Sequence, residues 1–106
     1  MPKYLMEATY TAEGAKGLAK EGGSARRKTV DEMVKSLGGN VEAFYYAFGT
    51  AGVFLIVDVP DAVTAAAVSL AVNQSGAVQL KSHVLMTAEE MDQAAKKTVS
   101  YRAPGK

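Results

Sequence analysis

Residues 41–59 read VEAFYYAFGTAGVFLIVDV and are the most informative part of the chain for its architecture. Two runs rich in aromatic and β-branched residues, Val41–Phe48 and Val53–Val59, flank the turn-sized segment Gly49-Thr50-Ala51-Gly52. Runs of this composition joined by a short glycine-containing connection are typical of a β-hairpin. We therefore expect two adjacent antiparallel strands in the middle of the sequence.

A strand and a helical segment lie on either side of this hairpin. Upstream, the strand Lys3–Thr11 precedes a helical stretch that begins at Ala12 and is interrupted at Gly22-Gly23-Ser24. Downstream, a helix over Ala62–Gln74 precedes the strand Val78–Met86. The order βαββαβ predicts an α+β, ferredoxin-like fold with a four-stranded antiparallel sheet and both main helices on one face.

Short polar residues mark the helix starts. Thr11 and Asp61 stand where the first and third helical stretches begin, and both residue types are favoured N-caps. Thr87 and Glu90 have the spacing of a capping box, which predicts an extra C-terminal helix from Ala88 to about Lys97.

Alternation along the strands divides the sheet into an apolar and a mixed face. The apolar parity, expected under the helices, contains Tyr4, Met6, Ala8, Tyr10, Val41, Ala43, Tyr45, Ala47, Val53, Leu55, Val57, Val59, Val78, Leu80, Ser82, Val84 and Met86. The mixed parity contains Leu5, Glu7, Thr9, Glu42, Phe44, Tyr46, Phe48, Phe54, Ile56, Asp58, Gln79, Lys81, His83 and Leu85. We interpret the mixed face as an interface, a lined cavity or both.

Composition excludes several classes of function. A chain of 106 residues, 48% hydrophobic and 22% charged, is expected to form a single domain over residues 1–106. Its net charge of +1 provides no long-range attraction to nucleic acid or anionic lipid. The longest apolar run, Ala43–Phe48, is far too short for a membrane span, and no apolar signal-peptide core follows Met1. We expect a cytoplasmic protein with neither a membrane nor a nucleic-acid partner.

The chain has one histidine and no cysteine, so carboxylates are the main metal ligands that remain. They are scattered along the sequence and do not have the spacing of a metal site. No metal and no cofactor is therefore expected.

The chain resembles the GYD-domain family of small bacterial proteins over nearly its whole length. The segments that carry the resemblance are Lys3-Tyr4-Leu5, Tyr10–Gly14, Lys20–Arg27, Leu37-Gly38-Gly39, Ala43–Gly49, Ile56–Asp61 and Val99–Arg102. The resemblance implies a fold of the dimeric α/β-barrel type. The family typically has Tyr-Asp shortly after the position of Phe48-Gly49, where this chain has Thr50-Ala51-Gly52. Any chemistry that this pair carries in relatives is therefore not expected here.

The strongest candidate ligand site is on the mixed face. Its members are Glu7, Tyr46, Phe54, Asp58, Lys81 and His83. A histidine with carboxylates and a tyrosine nearby has the parts for acid–base chemistry. The alternative is that Glu7–Lys81 and Asp58–His83 are structural ion pairs at a subunit interface, and we favour this simpler interpretation.

A second, weaker candidate is an anion site at the glycine break. Ser24, Arg26 and Arg27 follow Gly22-Gly23, so that backbone N–H groups and two guanidinium groups could bind phosphate or carboxylate. The spacing matches neither a P-loop nor a dinucleotide fingerprint. A basic, solvated helix face is the simpler alternative.

Four aromatic residues on the mixed face, Phe44, Tyr46, Phe48 and Phe54, predict a homodimer or a higher even oligomer. Glu7, Glu42 and Asp58 on the same parity argue against base stacking by an RNA-binding sheet. Two hypotheses remain. The chain either binds a small aromatic or acidic metabolite on this face of a homo-oligomer, or it is an assembly module that uses the face only for subunit association.

Overall fold

A computed structural model of the chain describes residues 1–49 and 51–106. The elements are β1 (Lys3–Tyr10), α1 (Ala12–Glu21), α2 (Gly23–Ser36), β2 (Asn40–Tyr46), β3 (Val53–Asp58), α3 (Ala62–Gln74), β4 (Val78–Leu85) and α4 (Ala88–Lys96). The sheet is antiparallel, with strand order β2-β3-β1-β4. The predicted α+β, ferredoxin-like fold with an extra C-terminal helix is confirmed. Thr50, the first residue of the segment Thr50-Ala51-Gly52 in the expected hairpin turn, lies outside the described residues.

One hydrophobic core lies between the sheet and the helices α2 and α3. Met6, Leu55 and Val57 of the central strands are buried against Val34 of α2 and Val68 of α3. These residues alternate along β1 and β3, so that one face of each strand is buried and the other stays open. The predicted helix-covered face is confirmed for these two strands.

The predicted caps are present at three helix starts. The side chain of Thr11 accepts a hydrogen bond from the Gly14 N–H, and that of Asp61 accepts one from the Thr64 N–H. At α4, Thr87 and Glu90 form both hydrogen bonds of the capping box. These bonds satisfy N–H groups that have no partner within the helix, which fixes where each helix begins.

A β-bulge changes which residues of β2 lie under the helices. The register with β3 shifts between Val41 and Ala43, so Phe44 pairs with Leu55 and Tyr45 pairs with Phe54. Phe44 is only 6% exposed in the core, whereas Tyr45 is 73% exposed on the opposite face. The predicted assignment of Ala43 and Tyr45 to the core and of Phe44 and Tyr46 to the mixed face is therefore wrong. One extra residue in a strand inverts the parity of all those that follow.

The far half of β4 lacks a helix over it. Ser69 and Asn73 of α3 contact Ser82 and Leu80, but beyond Ser82 the strand runs along the sheet edge with Val84 68% exposed. The prediction that Val84 and Met86 form part of the covered core is therefore wrong. Every residue from Met86 through α4 to Lys96 is exposed.

Candidate functional site

The sheet surface opposite the helices is the first candidate site, and we call it the open face. Its described side chains are Lys3, Leu5, Glu7 and Thr9 of β1, Ala43 and Tyr45 of β2, Phe54, Ile56 and Asp58 of β3, and Gln79, Lys81, His83 and Leu85 of β4. The strand register places Phe54 and Lys81 on either side of Glu7, and Ile56 and His83 on either side of Leu5. Five of the six predicted ligand residues therefore share this surface.

Three ionisable side chains lie together on the open face, and we call them the open-face group: Glu7, Lys81 and His83. The Nε2 atom of His83 lies 3.5 Å from Oε2 of Glu7, a diagonal contact across β1 and β4. Lys81 is the direct cross-strand neighbour of Glu7. A hollow of about 170 Å³ lies beside them, lined by Glu7, Thr9, Ala51, Phe54, Gln79 and Lys81. An aromatic ring, a carboxylate and an ammonium group thus border one small concavity.

Asp58 belongs to a separate cluster at the other end of the open face. The Nζ atom of Lys3 lies 2.9 Å from Oδ1 of Asp58 and 3.0 Å from Oε2 of Glu42. The hydrogen bond to Asp58, followed by that to Glu42, raises the pKa of Lys3 above its usual value. The predicted pair Asp58–His83 is therefore wrong, and Glu7 forms its ion pair with His83 while Lys81 is its cross-strand neighbour. The strand order places β1 between Asp58 and His83, and Lys3 on β1 takes Asp58 as its partner.

Tyr46, the sixth predicted ligand residue, lies on the helix side because of the bulge in β2. Its hydroxyl donates a hydrogen bond to the carbonyl oxygen of Gly23, at a distance of 2.9 Å. Its ring meets that of Phe44 edge-on, with centroids 5.3 Å apart. Burial raises the pKa of the Tyr46 hydroxyl above its usual value. Tyr46 therefore joins β2 to the start of α2 and has no place in the open-face group.

The two arginines of the predicted anion site at the glycine break lie on different sides of α2. The guanidinium of Arg27 lies 5.6 Å from the centroid of the Phe44 ring, and its Nε lies 3.9 Å from Oδ2 of Asp31. Ser24 and Arg27 border a shallow hollow with Phe44 and Tyr46. Arg26 instead faces a groove on the other side of α2, where it neighbours Tyr10.

Tyr10 lies at a candidate binding groove, although strand alternation does not predict it as a site residue. Burial raises the pKa of its hydroxyl above the usual value, and the nearby Arg26 opposes this shift. Parity assigns Tyr10 to the apolar core, but it is the last residue of β1, where the core opens between α1 and α3. The sequence signal that points to this opening is the pair Gly14 and Gly17 in the facing helix.

The described residues contain neither a metal-binding cluster nor a membrane-spanning helix. Within residues 1–49 and 51–106, no three His, Asp or Glu side chains are placed to hold a metal ion together. None of the helices in the described part of the chain has the length and apolarity needed to cross a membrane.

Comparison with known proteins gives one match. The family model described as GYD domain matches residues 4–95, from β1 to the last turn of α4. No curated protein and no solved structure matches the chain. The match includes the open-face group and the groove beside Tyr10.

Proposed function

The chain belongs to the GYD domain family, and we propose that it acts as a homodimer whose two open faces meet around a small acidic or aromatic metabolite. The observation that carries this proposal is the composition of the open face. Half-buried Leu5, Phe54 and Ile56 lie beside the ionisable group Glu7–Lys81–His83, and no described helix lies over them. Apolar side chains favour burial in an interface, and the charged group favours a polar guest.

The size of the open face indicates that it is one part of a larger interface. Four strands about 4.8 Å apart, each contributing about six residues at ~3.3 Å, span roughly 400 Å². A stable interface buries about 800 Å² on each partner. The sheet alone therefore supplies about half of the necessary area, and a second surface must supply the rest.

The end of β4 and the helix α4 provide that second surface. Met86 and Met91 are more than half exposed, and α4 has only nine residues, all of them exposed. An isolated helix of this length is marginal in water, so its stability depends on a tertiary partner. In the proposed dimer, α4 of each copy packs on the other copy. The net charge of +1 opposes this association only weakly.

The ligand part of the proposal depends on the hollow beside Glu7 and Lys81. At about 170 Å³ it is smaller than typical metabolite pockets of about 300 Å³ or more. Two such hollows brought face to face would form an enclosed space of about the required size, with Lys81 and His83 from both copies. The two Lys81 ammonium groups favour an acidic guest, since each Glu7 carboxylate faces His83 of its own copy, and the Phe54 rings favour an aromatic body.

The experiment is an NMR titration of the imidazole C–H signals of His83 with succinate and with phthalate, an aromatic dianion. Binding at the open face predicts a saturable shift of these signals, because the His83 ring contacts Glu7, which lines the hollow. Lys81→Gln should weaken the response by about tenfold or more, because it removes a charge-assisted hydrogen bond. Lys16→Gln, an exposed change on α1 on the other side of the sheet, is the matched control and should leave the response unchanged.

The same titration separates this proposal from the assembly module. A dimer whose His83 signals respond to neither dianion would contradict ligand binding at the open face. The face would then serve subunit contact alone, with Glu7–His83 and Lys3–Asp58 as structural ion pairs within it.

A further inference from the structure

A groove on the helix side of the sheet leads into an apolar cavity. The groove, of about 390 Å³, runs between α1 and α3 beside the end of β1. The inner cavity, of about 120 Å³, lies between α2, α3 and the sheet. Five residues line both spaces and form the passage between them: Tyr10, Arg26, Met33, Val72 and Val78. The two spaces together have the size of a small-molecule pocket.

Two glycines of α1 account for the groove. A side chain at Gly14 would collide with the carbonyl oxygen of Ala77, so glycine is required there for α1 to approach the start of β4. Gly17, one turn later, also lines the groove, and a Cβ atom placed on it would meet no atom within 4 Å. The first glycine brings α1 close to the sheet, and the second leaves the space in front of the passage empty.

The polar groups of this pocket are concentrated at its passage. Arg26 and Tyr10 are neighbours, and among residues 1–49 and 51–106 Arg26 forms no ion pair. Beyond them the inner cavity is lined by apolar side chains such as Met6, Leu55 and Leu80. Glu13 and Glu21 border the outer groove, where they repel a second negative charge on a guest. The chemistry therefore suits one anionic group attached to an apolar body.

We propose that this helix-side pocket binds a small apolar monocarboxylic acid, with its carboxylate on Arg26 and Tyr10. The guanidinium donates two parallel hydrogen bonds to the carboxylate, and the Tyr10 hydroxyl donates a third. The ring or short acyl chain enters the inner cavity, whose volume is close to that of apolar cavities known to hold a benzene ring. This pocket is separate from the open face, because the sheet lies between them.

The test is a titration of the protein, labelled at its methionine methyl groups, with benzoate and with cyclohexanecarboxylate. Met6 and Met33 line the pocket, whereas Met86 and Met91 are exposed elsewhere and serve as internal references. We expect saturable shifts at Met6 and Met33 alone. Benzyl alcohol, which lacks the charge, and phthalate, which carries two, should bind at least about tenfold more weakly.

Two pairs of variants make the assignment specific. Arg26→Gln should reduce benzoate affinity by about tenfold to a hundredfold, whereas Arg27→Gln, on the Phe44 side of α2, should leave it unchanged. Gly17→Leu fills the groove while favouring the helix, so it should abolish binding without loss of stability. Ala19→Leu adds the same side chain at an exposed position of α1 outside the pocket lining and is its control.

Three results would overturn the proposal: equal shifts at all methionines, equal binding of benzyl alcohol and benzoate, or full binding by Gly17→Leu. None of them bears on the open face, where His83 reports binding independently.

Discussion

Tyr10 occupies the boundary between the core and the helix-side groove. Its ring packs against the hydrophobic core, while its hydroxyl lies near Arg26. Burial is the largest influence on this hydroxyl, because the phenolate ion loses hydration there, and it raises the pKa above the usual value of 10.0.

This shift predicts how stability depends on pH. The unfolded chain loses the Tyr10 proton near pH 10.0, and the folded chain loses it only at higher pH. Between these two values the unfolded state binds fewer protons, so the free energy of unfolding falls as the pH rises. Below pH 10.0 the full stability is present. Tyr10→Phe should reduce the fall, measured by urea unfolding on either side of pH 10.0.

Tyr101→Phe is the control for this experiment, because Tyr101 is exposed near the end of the chain. It should reproduce the pH profile of the parent protein. A Tyr10→Phe profile identical to that of the parent would contradict a buried Tyr10 hydroxyl.

The strand β2 shows where reading the sequence succeeds and where it fails. Composition and turn residues are local signals, and they place β2 and β3 correctly. The bulge after Val41 arises from the way β2 pairs with β3, and the residues near Glu42 carry no sequence signal that predicts it. The faces of β1 and β3 follow from alternation because these strands pair without interruption. The same bulge places Tyr46, like Phe44, on the side of the sheet opposite to the one that alternation predicts.

The candidate sites, too, could be predicted where local sequence patterns decide them and not where tertiary packing does. Glu7, Phe54, Lys81 and His83 share a face because they lie on strands with regular alternation. Their partners were not predictable, because strand order decides which side chains are neighbours. The groove beside Tyr10 depends on the distance between α1 and α3, which is a tertiary property. The spacing of Gly14 and Gly17 is the one local signal that indicates the groove.

The bulge can be tested by comparing neighbouring substitutions in β2. Phe44→Ala should lower the free energy of unfolding by about 3–5 kcal/mol, because it leaves a cavity in the core. Tyr45→Ala removes a ring that is 73% exposed in the subunit, so it should cost less than Phe44→Ala even if the proposed dimer buries the open face. Chemical denaturation of both variants provides the comparison. A larger loss for Tyr45→Ala would show that β2 pairs without a bulge.

The described part of the chain is more extended than a compact domain of 106 residues. Its radius of gyration is 16.8 Å, and its dimensions are 55 × 34 × 23 Å. A compact domain of this length has a radius of gyration of about 13 Å. The helix α4 is exposed along its whole length, as are almost all of the residues after it. Together with the uncovered open face, this shape is the physical basis for proposing a homodimer.

Sedimentation equilibrium at micromolar concentration tests the proposed homodimer most directly. The chain has a mass of 11.1 kDa, and we predict twice that mass for the parent protein. Phe54→Asp places a charge on the open face and should produce the monomer, whereas Val63→Asp, on the exposed side of α3, should remain dimeric. A parent protein that sediments as an 11.1 kDa monomer would contradict the proposed dimer, and with it the open face as a site enclosed between two subunits.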